Sequence, residues 1–234
     1  LRPAFTGGDL TALEGLRRLG GAIEIRRTLN LQTVTAPENF SWETDFRSVV
    51  VRDNFQLATI EGFGNVRDAQ GARAVLRSLD VRDNPQLRDL SGFDEVRVIR
   101  GDVRIKGGRQ GISVAGRDQV RKIEGLLRLE AVRDLSAMGA LDSAAGLTLF
   151  RTQLREIDGF GALTRSDGDL RISEDEVAQR IGGFGKLTDV DGTLELDGLA
   201  VLERIDGFGA LGASEAVLSF RDLPLLSAAP GMMK

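Results

Sequence analysis

The 234-residue chain contains no histidine, no cysteine and no tyrosine. Without imidazole or thiol there is no thiolate nucleophile, no imidazole base and no Cys/His zinc site, which leaves carboxylates, lysine, arginine and hydroxyls for chemistry. Most common enzyme mechanisms are thereby removed, and no cofactor or metal site is indicated. Lacking cysteine, the chain carries no disulfide framework, so its redox compartment is not written in it. An excess of one charge is missing too. Lys+Arg 31 against Asp+Glu 35 leaves a net charge of -4, which draws the chain as a whole neither to nucleic acid nor to an anionic membrane. No run approaches the ~20 apolar residues of a membrane-spanning helix. The first residues, Leu1 to Gly8, lack the charged and apolar regions of a signal peptide. A first residue of Leu rather than Met suggests a processed or trimmed product, and a soluble chain is expected.

What is present is repetition. The segments Ile157-Asp158-Gly159-Phe160-Gly161-Ala162-Leu163, Ile181-Gly182-Gly183-Phe184-Gly185-Lys186-Leu187 and Ile205-Asp206-Gly207-Phe208-Gly209-Ala210-Leu211 are one phrase written three times, 24 residues apart in both steps. Looser copies stand at Leu13-Glu14-Gly15-Leu16, Ile60-Glu61-Gly62-Phe63, Leu90-Ser91-Gly92-Phe93 and Ile123-Glu124-Gly125-Leu126. Between copies lies a second phrase of alternating apolar residues: Ile23 to Ile25, Val49 to Val51, Leu79 to Val81, Val103 to Ile105, Leu147 to Leu149, Leu170 to Ile172, Leu194 to Leu196 and Leu218 to Phe220. Period-two alternation of this length predicts a short strand with one buried face. Such strands are too short to stand alone, so successive coils must stack and bury one another's apolar sides. Phe63, Phe93, Phe160, Phe184 and Phe208 are predicted to fill the interior, and the glycine before each to supply a turn conformation that a Cβ would penalise.

The order apolar-x-x-apolar-x-Gly-Phe-x-x-apolar, then Gly-x-Leu-x-Leu, then Asp-Asn-x-Gln-Leu at 53–57 and 83–87 resembles the receptor L-domain branch of leucine-rich repeats, over about Leu10 to Leu226. The resemblance implies a mostly β fold: a single right-handed parallel β-solenoid of about eight coils over 1–234, used for ligand or partner binding, often at a cell surface or after secretion. The cysteine-rich flanks of that family's receptor members are missing. Two stretches break the pattern, Thr35 to Asp45 with the only tryptophan, Trp42, and Lys106 to Val120. Both are read as loops inserted on one side of the coil.

Three short motifs look chemical. Gly207-Phe208-Gly209-Ala210-Leu211-Gly212 fits a dinucleotide fingerprint but is one copy of the repeat, whose siblings lack the third glycine. Asp189-Val190-Asp191-Gly192-Thr193-Leu194 looks like the nucleophile motif of haloacid-dehalogenase-type phosphatases, but the Gly-Phe phrase precedes it where that motif needs a buried strand. Asn39-Phe40-Ser41 is an N-glycosylation triplet. Asn54 and Asn84 occupy equivalent coil positions, where Asn satisfies backbone groups or accepts a left-handed conformation.

Aligning the strands on their apolar pairs sets the next residues in a column: Arg26, Arg52, Arg82, Lys106, Phe150, Ser173, Asp197 and Arg221. Like charges directly opposed on neighbouring strands repel unless compensated. The adjacent column (Glu24, Val50, Asp80, Arg104, Thr148, Arg171, Glu195, Ser219) supplies acids, so one reading is a self-neutralised, solvated face. The sharper reading makes Arg26, Arg52, Arg82 and Lys106 a footprint for an acidic partner, with Phe150 as an apolar anchor. Function is therefore expected to be non-catalytic recognition of a protein or surface glycan through one face. The alternative is a structural accessory subunit of a larger assembly, suggested by the apolar tail from Ala228 onward, which lacks a polar capping coil.

Overall fold

The computed structural model describes residues 18–19, 22–35, 41–42, 47–61, 75–91, 93, 96–115, 120–212 and 215–230. Nine of its strands lie side by side in chain order in one parallel sheet: β1 (Ile23–Arg26), β2 (Arg47–Arg52), β3 (Val75–Arg82), β4 (Val103–Lys106), β5 (Lys122–Glu130), β6 (Ser143–Phe150), β7 (Leu170–Ser173), β8 (Thr193–Asp197) and β9 (Val217–Arg221). The fold is a mostly β, parallel β-solenoid, and its coil count is close to the eight expected.

The alternation in the sequence explains the long sheet. Register carries Val49, Leu79, Val103, Leu127, Leu147, Leu170 and Leu194 down one inward column, and Val51, Val81, Ile105, Leu129, Leu149, Ile172 and Leu196 down the next. All fourteen are at most 4% exposed. Side chains between them point to solvent, because successive residues of a strand face opposite ways. A second wall of each coil is built from short strands, Thr33–Thr35, Thr59–Glu61, Asp89–Leu90, Ile112–Val114 and Val132–Asp134 in one sheet, and Glu156–Ile157, Arg180–Ile181 and Arg204–Ile205 in another.

From this second wall the chain turns through the Gly-Phe phrase. Phe160, Phe184 and Phe208 are buried to within 1% and stack with centroids 5.2 and 5.0 Å apart, rings tilted by 10° and 11°. In each turn the N–H three residues on donates to the carbonyl of the aromatic residue, Leu163 to Phe160 at 3.0 Å and Leu187 to Phe184 at 3.1 Å. Phe93 is half-buried, and Phe63 lies outside the described residues, as do Leu13 to Leu16.

Three expectations are corrected. Gly159, Gly183 and Gly207 are not left-handed, since Gly111 and Gly198 are the glycines with positive φ among the described residues, and Gly62 and Gly92 lie outside the described residues. They are small because coils touch there: a Cβ on Gly159 would lie 2.4 Å from Leu135 Cβ, and one on Gly183 2.5 Å from the Asp158 carbonyl carbon. Second, Ile123 to Leu126 is not a Gly-Phe turn but part of β5. The turn of that coil is Asp134-Leu135-Ser136-Ala137-Met138-Gly139-Ala140-Leu141, where Met138, 5% exposed, stands in for phenylalanine and Leu141 N donates to Met138 O at 3.0 Å. Third, the stretch 106–120 is not simply an inserted loop. Ile112–Val114 is a strand with all three residues buried, Val114 pairs with Leu90, and Val120, like Val96, is buried. Residues 116–119 lie outside the description. Of the other expected insertion, Ser41–Trp42 pairs in parallel with Arg18–Leu19. Residues 36–40 and 43–46 are not described.

A candidate binding face on the long sheet

Arg26, Arg52 and Arg82 are direct neighbours on β1, β2 and β3. Lys106, at the corresponding end of β4, continues the column. The expected next member was Phe150, but β5 intervenes, so Lys106 faces Glu130 and Glu130 faces Phe150. The alternation Leu127-Arg128-Leu129 was the signal for that strand, and it was masked by reading Gly125 as a turn glycine. One strand over in the adjacent column, Asp80 faces Arg104 and Arg104 faces Arg128.

Every member of the basic column has an acid beside it. Arg26 meets Glu24 at 2.5 Å. Arg52 and Arg82 share Asp80, whose other contact with Arg82 Nε is 3.1 Å. Lys106 reaches Glu130 at 2.9 Å, and Arg128 reaches the same carboxylate at 3.5 Å. Asp80 is 7% exposed; it sits under two guanidinium groups as a fixed counter-charge. Burial, and then the neighbouring Arg82, Arg26 and Arg104, push the Arg52 guanidinium below its ordinary value, though an arginine remains charged throughout. The column is thus divided. Arg52 is committed to the sheet, its side chain 24% exposed, while Arg82, Arg104, Lys106 and Arg128 keep 38–45% of theirs in solvent.

Those four cations converge. They line a shallow depression of about 450 Å³ together with Asp83, Ile105, Leu126 and Glu130. Leu126 is 36% exposed, so the depression offers an apolar patch within a cationic rim. Ion pairs at such exposure contribute only about 0–1 kcal/mol each, so an incoming carboxylate can replace Glu130 or Asp102 as partner at little cost. Phe150 is not a free anchor: the guanidinium carbons of Arg128 and Arg151 lie 5.3 and 4.9 Å from its ring centroid.

The other singled-out residues have partners inside the coil. Asp189 and Asp191 converge with Asp167 on Arg165, at 2.8 Å and 2.5 Å for the first two. The hydrogen bond from Arg165 to Asp167 and these negative charges raise the guanidinium's pKa. Asn54 and Asn84 form a buried ladder. Asn84 Oδ1 accepts from the Asn54 N–H and from Asn54 Nδ2, both at 3.0 Å, and Asn84 Nδ2 donates to Val51 O at 2.9 Å. Asn54 Oδ1 in turn accepts from the Thr28 N–H and hydroxyl at 3.1 and 2.8 Å. Among the described residues no group of three or more acidic side chains is placed to hold a metal ion, and no helix is long and apolar enough to cross a membrane. Comparison of the chain with family models, with curated proteins and with solved structures gave no match.

Proposed function

We propose that this chain is a non-catalytic binding module that recognises an acidic protein segment or an acidic surface glycan through the outer face of the long sheet. The observation that carries this reading is the convergence of Arg82, Arg104, Lys106 and Arg128 on one depression with Leu126 in its wall. Arginine forks suit carboxylates because they bind them bidentately. The order of the repeat phrases supports a place near the receptor L-domain branch of leucine-rich repeats, and with it a role at a cell surface or in secretion. To test the reading, a polyglutamate peptide and a uronate oligosaccharide are titrated into the chain at low salt. One of them is expected to bind, with affinity falling as salt rises and dropping at least tenfold in a variant carrying Arg82→Glu and Lys106→Glu. Unchanged affinity in that variant removes the reading.

A second reading, a structural subunit of a larger assembly, is favoured by a different feature. On β9 the apolar residues Val217, Leu218 and Phe220 are 64%, 52% and 39% exposed, whereas Leu194 and Leu196 on β8 are fully buried. The native mass of the particle containing the 25.3 kDa chain, purified gently from its source, separates the two: many times the chain mass supports the assembly, and a mass near the chain's own supports the module.

A further inference from the structure

We infer that the cationic depression takes an extended peptide with an apolar residue followed by two acidic residues at alternate positions, Leu126 being its specificity-determining residue and Glu130 a built-in competitor for the acids. Such a site rests on the reading of the depression as an acid-binding surface, and it narrows the ligand to a peptide.

Leu126 is what separates a peptide from other polyanions. It is 36% exposed in the middle of the long sheet, with β4 on one side and β6 on the other, so its exposure is not owed to a chain end. At the same outward position the neighbouring strands carry Ser48, Ser78, Asp102, Gly146, Asp169 and Thr193. The sheet itself therefore needs no large aliphatic side chain there. The leucine leans over Gly146, where an added Cβ would stand 3.2 Å from Leu126 Cδ1. One side of the isobutyl group is thus supported and the other is left to solvent. Its backbone is held as well, since Leu126 N–H donates to Asp102 Oδ1 at 3.0 Å. An aliphatic surface fixed in this way loses little freedom when it is covered. It offers nothing to the hydroxyls of a glycan, whereas an apolar side chain of a peptide removes it from water.

The cations add the order. Side chains on one face of a strand recur every two residues, ~6.6–6.8 Å apart. Leu126, Arg128 and Glu130 are three such rungs on β5, and Asp102, Arg104 and Lys106 stand beside them on or just before β4. An extended peptide has the same repeat, so one laid along the strands sets alternate side chains on successive rungs. On the first rung the Asp102 carboxylate repels an acid, and Leu126 favours an apolar group. The second rung holds Arg104 and Arg128, and the third holds Lys106 with Arg82 at the matching end of β3. These four side chains keep 38–45% of their surface in solvent. Glu130 reaches Lys106 at 2.9 Å and Arg128 at 3.5 Å. It stands where a ligand carboxylate would, so binding exchanges one acid for another.

Two capped peptides of one composition, with the cores Leu-Thr-Glu-Thr-Glu and Glu-Thr-Leu-Thr-Glu, are titrated calorimetrically into the whole chain at low salt. The second must give up either the leucine contact or one acid, so the first is expected to bind about tenfold more tightly, the worth of covering one leucine side chain. Leu126→Ser, which installs the residue type found at positions 48 and 78, is expected to bring the first peptide's affinity down to that of the second. Glu130→Gln keeps the shape, removes the competing charge and is expected to raise the affinity for both several-fold. Equal affinities of the two peptides for the unaltered chain, or no gain in Glu130→Gln, overturn the inference while acid binding stands. Binding of neither peptide overturns it too, and if polyglutamate also fails to bind, the reading beneath it falls as well.

Discussion

At the corner that ends eight of the nine long-sheet strands, all but β4, the backbone takes a left-handed residue: Arg27, Asp53, Asp83, Ala131, Arg151, Glu174, Gly198 and Asp222 have φ between 47° and 64°. Only one of these is glycine. A Cβ in this region costs about 1–2 kcal/mol, part of which glycine gives back as unfolded-chain entropy. Ala131→Gly is therefore expected to raise the unfolding free energy by roughly 0.5–1 kcal/mol, read from urea denaturation. The asparagines sit one residue further on, and their work is hydrogen bonding. Asn84→Ala leaves the Asn54 N–H and Val51 O without their buried partners, while Asn54 Nδ2 keeps only Ile25 O, and at ~1–3 kcal/mol per orphaned group the expected loss is about 3 kcal/mol. A loss under ~1 kcal/mol would show that the ladder is not what holds these corners.

Among elements, the Gly-Phe-Gly turn separates two roles for one residue type. A Cβ on Gly183 would meet the Asp158 backbone at 2.5 to 2.8 Å, while one on Gly185 meets nothing within 4 Å. Gly183→Ala is expected to cost more than 2 kcal/mol through displaced backbone, and Gly185→Ala less than ~0.5, in the same denaturation assay. Strand entry is organised by acids. Asp169 Oδ1 accepts the Thr193 N–H at 2.8 Å and Asp102 Oδ1 the Leu126 N–H at 3.0 Å, each on the coil that follows. The Thr193 N–H, and then Arg171, hold the Asp169 carboxyl below its ordinary value despite partial burial. Burial pushes Asp134 up, but the Ser136 N–H and Ser113 hydroxyl outweigh it and the net direction is down. Carboxyls depressed in the folded state stabilise it above their unfolded pKa of ~4, and that stability is lost as pH falls through the folded value. With no histidine to titrate between, melting temperature is expected to be flat from about pH 5.5 to 7.5 and to fall below about pH 4, less steeply in Asp169→Asn.

For the whole molecule, stacking makes stability a sum of coil-to-coil contacts, and cover is uneven along the axis. Leu147 and Leu149 are fully buried in the middle of the sheet, whereas Leu218 and Phe220 are half uncovered at its last strand. Amide hydrogen exchange, measured at a concentration where the chain is monomeric, is expected to be slowest on β5 to β7 and faster by a factor of ten or more on β9. Uniform protection along the axis would contradict the picture of one layer covering the next.

The solenoid, its phenylalanine stack and the outward basic column were legible in the sequence, because burial in a coil is dictated by short-range alternation and by a phrase repeated at fixed spacing. β5 was not. Its coil replaces the phenylalanine with Met138 and its glycine with Ala137, and the coil before it has Arg117 at the matching sequence position, so the phrase faded where Leu127 and Leu129 still alternated. That one omitted strand moved Glu130 between Lys106 and Phe150, adding a carboxylate beside Lys106 to the acids Glu24 and Asp80 already expected in the adjacent column. Residue type and period thus determine which side chains face in or out, since those depend only on neighbours along the chain. Which acid a cation shares across strands was decided by the stacking, because Arg52 meets Asp80 and Lys106 meets Glu130 only through the register that brings neighbouring coils together.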